Sequence, residues 1–155
     1  MVDSSARQDY DLSALLHQAS DALYKAREKE LYQYGVSPIG AMALFVIQTV
    51  GDKATPAEIA RWLFREPHSV TGLVNRMVKE GLVRKARDLE KRNLVKVTLT
   101  EKGRQALHQS SESQSIQRIL SSLSENEKQQ LGLLLEKLRD GAHKDLGISY
   151  KMPYP

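Results

Sequence analysis

A chain of 155 residues that is 41% hydrophobic and 27% charged has the material for one real core and reads as ordinary soluble protein. Its complete lack of cysteine excludes disulfides, thiolate metal sites and cysteine-based redox sensing. The net charge of +4 is unevenly placed: residues 56–104 hold 12 Lys and Arg against 6 Asp and Glu, so a basic middle sits in a slightly acidic frame and suits an anionic partner.

The longest apolar run, Ala41 to Ile47, is far short of the roughly 20 residues that span a bilayer. Residues 1–9 carry no apolar signal-peptide core. A cytoplasmic protein without a membrane partner is the expectation.

In chain order, Leu12, Leu15, Leu16, Ala19, Leu23 and Ala26 predict an amphipathic helix from about Asp9 to Gln33, stopped by Gly35. Ser37-Pro38 caps a second helix, Ile39 to about Val50, apolar on most sides and therefore central. Thr55-Pro-Ala-Glu58 has the form of a capping box and opens a short helix to about Phe64, with Ile59, Ala60 and Leu63 inward. A further helix runs from Pro67 to Glu80 and ends at Gly81.

Leu82 to Arg87 predicts a strand, residues 88–93 a polar turn, and Leu94 to Leu99 a second strand in which Val95, Val97 and Leu99 alternate with polar residues. Thr100 opens a long helix through about Leu123. Ser124-Glu-Asn-Glu127 is a second capping box, starting a last helix that ends near Leu146 at Gly147. The tail, 148–155, has no period and is expected to be mobile or an arm. The fold class is mainly α, a winged helix-turn-helix with a two-stranded hairpin as its wing.

The helix Pro67–Glu80 carries the functional argument. At 100° per residue, Val70, Leu73, Val74 and Met77 form the core side. His68, Gly72, Asn75 and Lys79 lie opposite, with Ser69, Thr71 and Arg76 on the flanks. This outward face is small, polar and cationic, and it suits base edges and phosphates in a major groove. A solvated surface helix would also be polar outside. Against that reading, the face is acid-free before Glu80, and Gly72 costs about 1 kcal/mol in helix propensity, which implies a reason for the missing side chain.

Catalysis finds little support: no Gly-Xaa-Ser-Xaa-Gly elbow, phosphate-binding glycine loop or His-Glu-Xaa-Xaa-His is present. His17, His68, His108 and His143 are dispersed. His108 and Glu112, one turn apart, are better read as an exposed pair than as metal ligands. No catalytic residue, metal or cofactor is expected. The rival class is an RNA-binding or protein-binding winged helix, and the hairpin lacks the stacking aromatics that RNA recognition favours.

Three stretches, Ala54-Thr-Pro-Ala-Glu-Ile-Ala-Arg-Trp-Leu, His68-Ser-Val-Thr-Gly-Leu-Val-Asn-Arg-Met-Val-Lys-Glu-Gly-Leu-Val and Asp88-Leu-Glu-Lys-Arg-Asn-Leu-Val-Lys-Val-Thr-Leu-Thr-Glu-Lys-Gly-Arg, resemble the MarR family of bacterial regulators. The resemblance is close over about Ser37 to Leu107, and the run from hairpin to Leu-Thr-Glu-Lys-Gly is its specific part. It implies a homodimeric transcriptional regulator, most simply a repressor, that binds double-stranded DNA at an inverted-repeat operator. Residues 1–36 and 105–147 would form the dimerisation region, 37–104 the DNA-binding domain and 148–155 a tail. Arg92 falls at the wing-arginine position that enters the minor groove, with Asp88 in the acidic slot. Lys79, Arg84, Lys85, Arg87, Lys91 and Arg92 would contact phosphates; His68, Ser69, Thr71, Gly72, Asn75 and Arg76 would face the groove. The family also implies a small-molecule effector between dimer and DNA-binding regions. Tyr24, Tyr32, Tyr34, Phe45 and Trp62 are candidates to line its cleft, although aromatics at helical spacing are more often core.

Overall fold

The computed structural model describes residues 4–88 and 94–150. Its elements follow the expected order. Helix α1 (Ser4–Leu31) begins five residues earlier than its apolar period suggests and runs into a single 3-10 turn, Tyr32–Tyr34, closed by Gly35 at φ 66°. Helix α2 (Pro38–Val50) starts where the Ser37 hydroxyl accepts from Gly40 N at 3.1 Å, with Pro38 in the first turn. Thr55 opens α3 (Pro56–Leu63) in the same manner, accepting from Glu58 N at 3.1 Å. The Glu58 carboxylate does not close the expected box; it pairs instead with Arg61, 3.2 Å away.

Helix α4 (Pro67–Lys79) is followed by Gly81 at φ 74° and by strand β1 (Val83–Arg87). Strand β2 (Val95–Leu99) pairs antiparallel with β1, from Val83 opposite Leu99 to Arg87 opposite Val95. Val97 N also donates to Ala54 O at 2.8 Å, which ties the segment before α3 to β2.

The core is built by α2, α3, α4 and the hairpin. Leu44, Val46, Ile59, Val70, Val74, Met77, Val83 and Val97 are all essentially sealed from solvent. Full burial of such side chains contributes about 1.5–3 kcal/mol each. Helix α2 is central, as its apolar composition requires: it gives Ala43, Leu44, Val46 and Ile47 to this core.

The expected single helix after the hairpin is two: α5 (Glu101–Ser111) and α6 (Gln114–Leu120). A residue far away in sequence holds the break. Glu30, near the end of α1, accepts from Gln114 N at 2.8 Å, from Ser115 N at 3.3 Å and from the Ser115 hydroxyl. These first-turn N–H groups of α6 would otherwise be orphaned by the break. Arg27 pairs with Glu30 at 2.9 Å and donates to Ser110 O, the carbonyl side of the same break. Burial opposes charge on Glu30, but the bonds from Ser115 and Arg27 outweigh it and hold its carboxyl below the usual range.

Helix α7 (Glu125–Asp145) opens on the Ser124–Glu127 capping box, here complete in both directions. Of the expected tail, residues 148–150 are described. Tyr150 meets Trp62 edge-on at 6.2 Å between ring centres, lies under the Arg61 guanidinium at 5.4 Å, and donates to Arg61 O at 3.2 Å. Among the described residues no single helix is long and apolar enough to cross a membrane, and no group of His, Asp and Glu is placed to hold a metal.

Candidate nucleic-acid interface

Helix α4 is held at both ends. At its start, the α3–α4 turn passes through Phe64 in the left-handed region, φ 54°, before Pro67 sets the first turn. Phe64 stacks on His143 of α7, with ring centres 6.0 Å apart. At its end, the Thr-Glu-Lys-Gly segment acts as a clamp. The Thr100 hydroxyl lies 2.6 Å from Gly81 O and 3.1 Å from Leu82 O, and it accepts from Gly103 N at 3.0 Å. Thr100 N donates to Leu82 O at 3.1 Å, and Lys102 Nζ donates to Glu80 O at 2.7 Å. Gly103 is buried against Leu82 O, where a Cβ would come within 2.0 Å of that oxygen. The motif that is most specific in sequence is therefore the one that fixes α4 and β1 relative to α5.

This leaves α4 with the expected two faces. Val70, Leu73, Val74 and Met77 are buried, while His68, Ser69, Thr71, Gly72, Asn75, Arg76 and Lys79 are exposed. Nothing lies within 4 Å of the Cβ that Gly72 lacks, so its small size is not required by packing inside the subunit. The Thr71 hydroxyl donates to Pro67 O at 3.0 Å, which leaves it free only to accept. Asn75 accepts from Lys85 through Oδ1. Arg84 and Arg87 are exposed on β1, and Asp88 pairs with Lys96 at 3.2 Å. Lys91 and Arg92, the remaining expected contacts, lie outside the described residues.

Two features were not signalled by the sequence. Arg65, in the α3–α4 turn, shares a cleft of about 290 Å³ with Arg76, Ser69 and Tyr24. The Lys85–Asn75 bond joins two residues that each read separately as DNA contacts.

A second cleft, of about 540 Å³, lies between α1, α2 and the α5–α6 break, bordered by Tyr24, Met42, Phe45, Leu107 and Ile116, with Arg27 at its edge. Of the five aromatics considered for an effector site, only Tyr24 and Phe45 meet there. Trp62 packs with Tyr150, and Tyr32 borders a different cleft, with Glu28 and Arg76.

The MarR family profile matches residues 34–92, which take in α2, α3, α4 and β1. Among solved structures, the chain is similar to the organohalide-sensing transcriptional regulator RdhR-CbdbA1625 in its 2,4-dichlorophenol-bound form, at 28% identity and TM-score 0.84, covering 96% of this chain and 90% of that one. A MarR family protein from Bacillus stearothermophilus is 27% identical, with TM-score 0.71 over 88% of this chain and 96% of its own. The S. aureus MepR–DNA complex shares the fold at 22% identity and TM-score 0.75, over 83% of this chain and 96% of the other. No curated protein matches by sequence. The winged unit, its clamp and the likeness over nearly the whole chain agree with that match: residues 34–92 match the MarR family, and the chain as a whole is similar to solved transcriptional regulators.

Proposed function

We propose that the protein is a homodimeric repressor that binds double-stranded DNA in a sequence-specific manner and releases it in response to a small aromatic effector. The observation that carries the DNA reading is the outer face of α4. Apart from Pro67 at its start and Val78 at its flank, its exposed side chains are polar or cationic, and the exposed Arg84, Lys85 and Arg87 of β1 add positive charge. Helix α4 would enter the major groove, and Lys91 and Arg92 at the wing would follow the backbone into the adjacent minor groove. A two-fold dimer then favours inverted repeats with half-sites about 10 bp apart, one helical turn. The fold is shared with MepR, whose solved complex contains DNA.

The effector reading rests on the cleft at Tyr24 and Phe45. Its volume, about 540 Å³, falls within the range of sites that bury small organic ligands. The similar regulator RdhR-CbdbA1625 was solved with 2,4-dichlorophenol, an aromatic molecule of suitable size. Such a ligand would touch α1, α2 and the α5–α6 junction together, and so bear on how the helical frame carries α4.

The test is a salt titration of binding to duplexes selected from a random pool. Each phosphate neutralised contributes about −0.9 to the log–log slope, so contacts from Lys79, Arg84, Arg87, Lys91 and Arg92 predict a slope of about −4 or steeper for each subunit engaged. Affinity that hardly changes with salt, or no duplex retained at any salt, would overturn DNA as the partner.

Gly72 offers a further check. Because its missing Cβ faces open space, Gly72→Ala is expected to raise stability by up to about 1 kcal/mol through helix propensity. Gly72→Leu is expected to fold and to lose duplex affinity, since the larger side chain would hold the helix off the groove. Melting curves and binding titrations on the same two variants read both effects; full affinity in Gly72→Leu would argue against close approach at this point.

A further inference from the structure

Lys85 stands on the face of β1 that also carries buried Val83, since residues two apart on a strand share a face. That face is turned toward α4, and Lys85 Nζ reaches across to donate to Asn75 Oδ1. An ammonium has protons to give and no lone pair to offer. The Asn75 amide can therefore meet it only through oxygen, which turns the Nδ2 protons away from Lys85. No helix neighbour competes for that orientation: Thr71 bonds back to Pro67 O, and Gly72 has no side chain.

We propose that Lys85 is a specificity-determining residue that holds the Asn75 amide in one orientation, so that α4 offers the base edge donors rather than a donor–acceptor pair. The inference rests on the DNA-reading function proposed above and specifies which base that function selects. Adenine shows an N7 acceptor beside an N6 donor in the major groove, and an asparagine reads it with both ends of its amide. With Oδ1 engaged by Lys85, one of its two lone pairs is taken and the ammonium sits beside the other, so a base donor such as adenine N6 would meet the Lys85 protons there. Guanine shows two acceptors, N7 and O6, which the Nδ2 protons and the remaining Lys85 protons serve together. The base facing Asn75 is therefore guanine, selected against adenine. Lys85 acts through Asn75, and its removal frees the amide to turn.

The experiment is selection from a pool of randomised duplexes with the full-length protein and three variants: Asn75→Ala, Lys85→Met and Lys85→Arg. Lys85→Met keeps the aliphatic stem and removes the donor, and Lys85→Arg restores one. The expected result is a guanine position in each half-site that loses its preference in Asn75→Ala. At that position Lys85→Met should shift the guanine-to-adenine ratio toward adenine by at least about tenfold, within the range of one good base contact. Lys85→Arg should return it toward guanine.

A lysine that only touched phosphate would weaken all duplexes alike and leave the base ranking unchanged; that result overturns the inference while leaving DNA reading intact. So does an Asn75-dependent position that is already adenine in the parent, or an Asn75→Ala profile identical to the parent's. A parent that enriches no sequence overturns the DNA-reading function itself, and the inference with it. Melting curves of each variant separate misfolding from altered reading.

Discussion

Replacing Gly103 by alanine is expected to lower the melting temperature by about 10 °C. The added methyl would stand 2.0 Å from Leu82 O, well inside contact distance. Neither partner has an easy retreat. Leu82 O already accepts from Thr100 N and lies beside the Thr100 hydroxyl, both at 3.1 Å, while Gly103 N is tied to that same hydroxyl. Moving the carbonyl breaks the clamp between the end of α4, the start of β1 and the start of α5. Overpacking costs typically reach about 3 kcal/mol, and a chain of this size loses roughly 2–4 °C per kcal/mol. Scanning calorimetry or thermal circular dichroism reads the shift. Because Leu82 sits between α4 and β1, which the proposed function sets on DNA, duplex affinity should fall further than stability predicts. A melting temperature equal to the parent's would show that the clamp is slack. Gly72→Ala is the natural control, being the same substitution with the opposite expected sign.

Loss of assembly is the expected result of Leu131→Asp with Leu135→Asp. Helix α7 is 21 residues long, and not one of them is buried within a single chain. Leu131, Leu134, Leu135 and Leu138 follow the i, i+3, i+4, i+7 spacing of one helix face, and they are 39% to 59% exposed. On α1, Leu12 and Leu15 are 58% and 61% exposed. An uncovered apolar surface of this extent on two long helices is what the proposed dimer would cover. Covering each leucine would contribute about 1.5–3 kcal/mol, and a dimer repeats the gain on both subunits. The parent should sediment at twice 17.5 kDa at micromolar concentration, and the double variant should not assemble at all. A parent that stays monomeric and folded, or a variant that still dimerises, would remove the basis for the dimer.

The parts of the fold that local chemistry determines were readable from the sequence. Ser37, Thr55, Thr100 and Ser124 each cap the helix they were expected to cap, because a hydroxyl three residues before a free N–H needs no distant help. The buried face of α4 and the two strands of the hairpin follow from period alone. What failed to show was set from a distance. The break between α5 and α6 is held by Glu30, more than 80 residues earlier, and no local rule for α5 contains it. The Glu58 carboxylate had two neighbours within reach and took Arg61. At the candidate site, the exposed polar face of α4 was legible, but the Lys85–Asn75 bond was not, since it needs the angle at which β1 leaves Gly81. The aromatic residues were the least readable group. Their spacing does not say which cleft they enter, and only two of five came together.

Phe64 has a consequence for anyone redesigning this protein for heat. It is the one non-glycine residue with positive φ among those described, at the position after α3 where glycine is the usual choice. A standard stabilising rule would install glycine there to recover the roughly 1 kcal/mol or more of backbone strain. Here the strained residue also supplies the ring that stacks on His143, at the end of α7. Glycine would relax the turn while deleting a side-chain link between the long C-terminal helix and the turn that aims α4. Thermostability gained at this position would be bought with looser placement of α4.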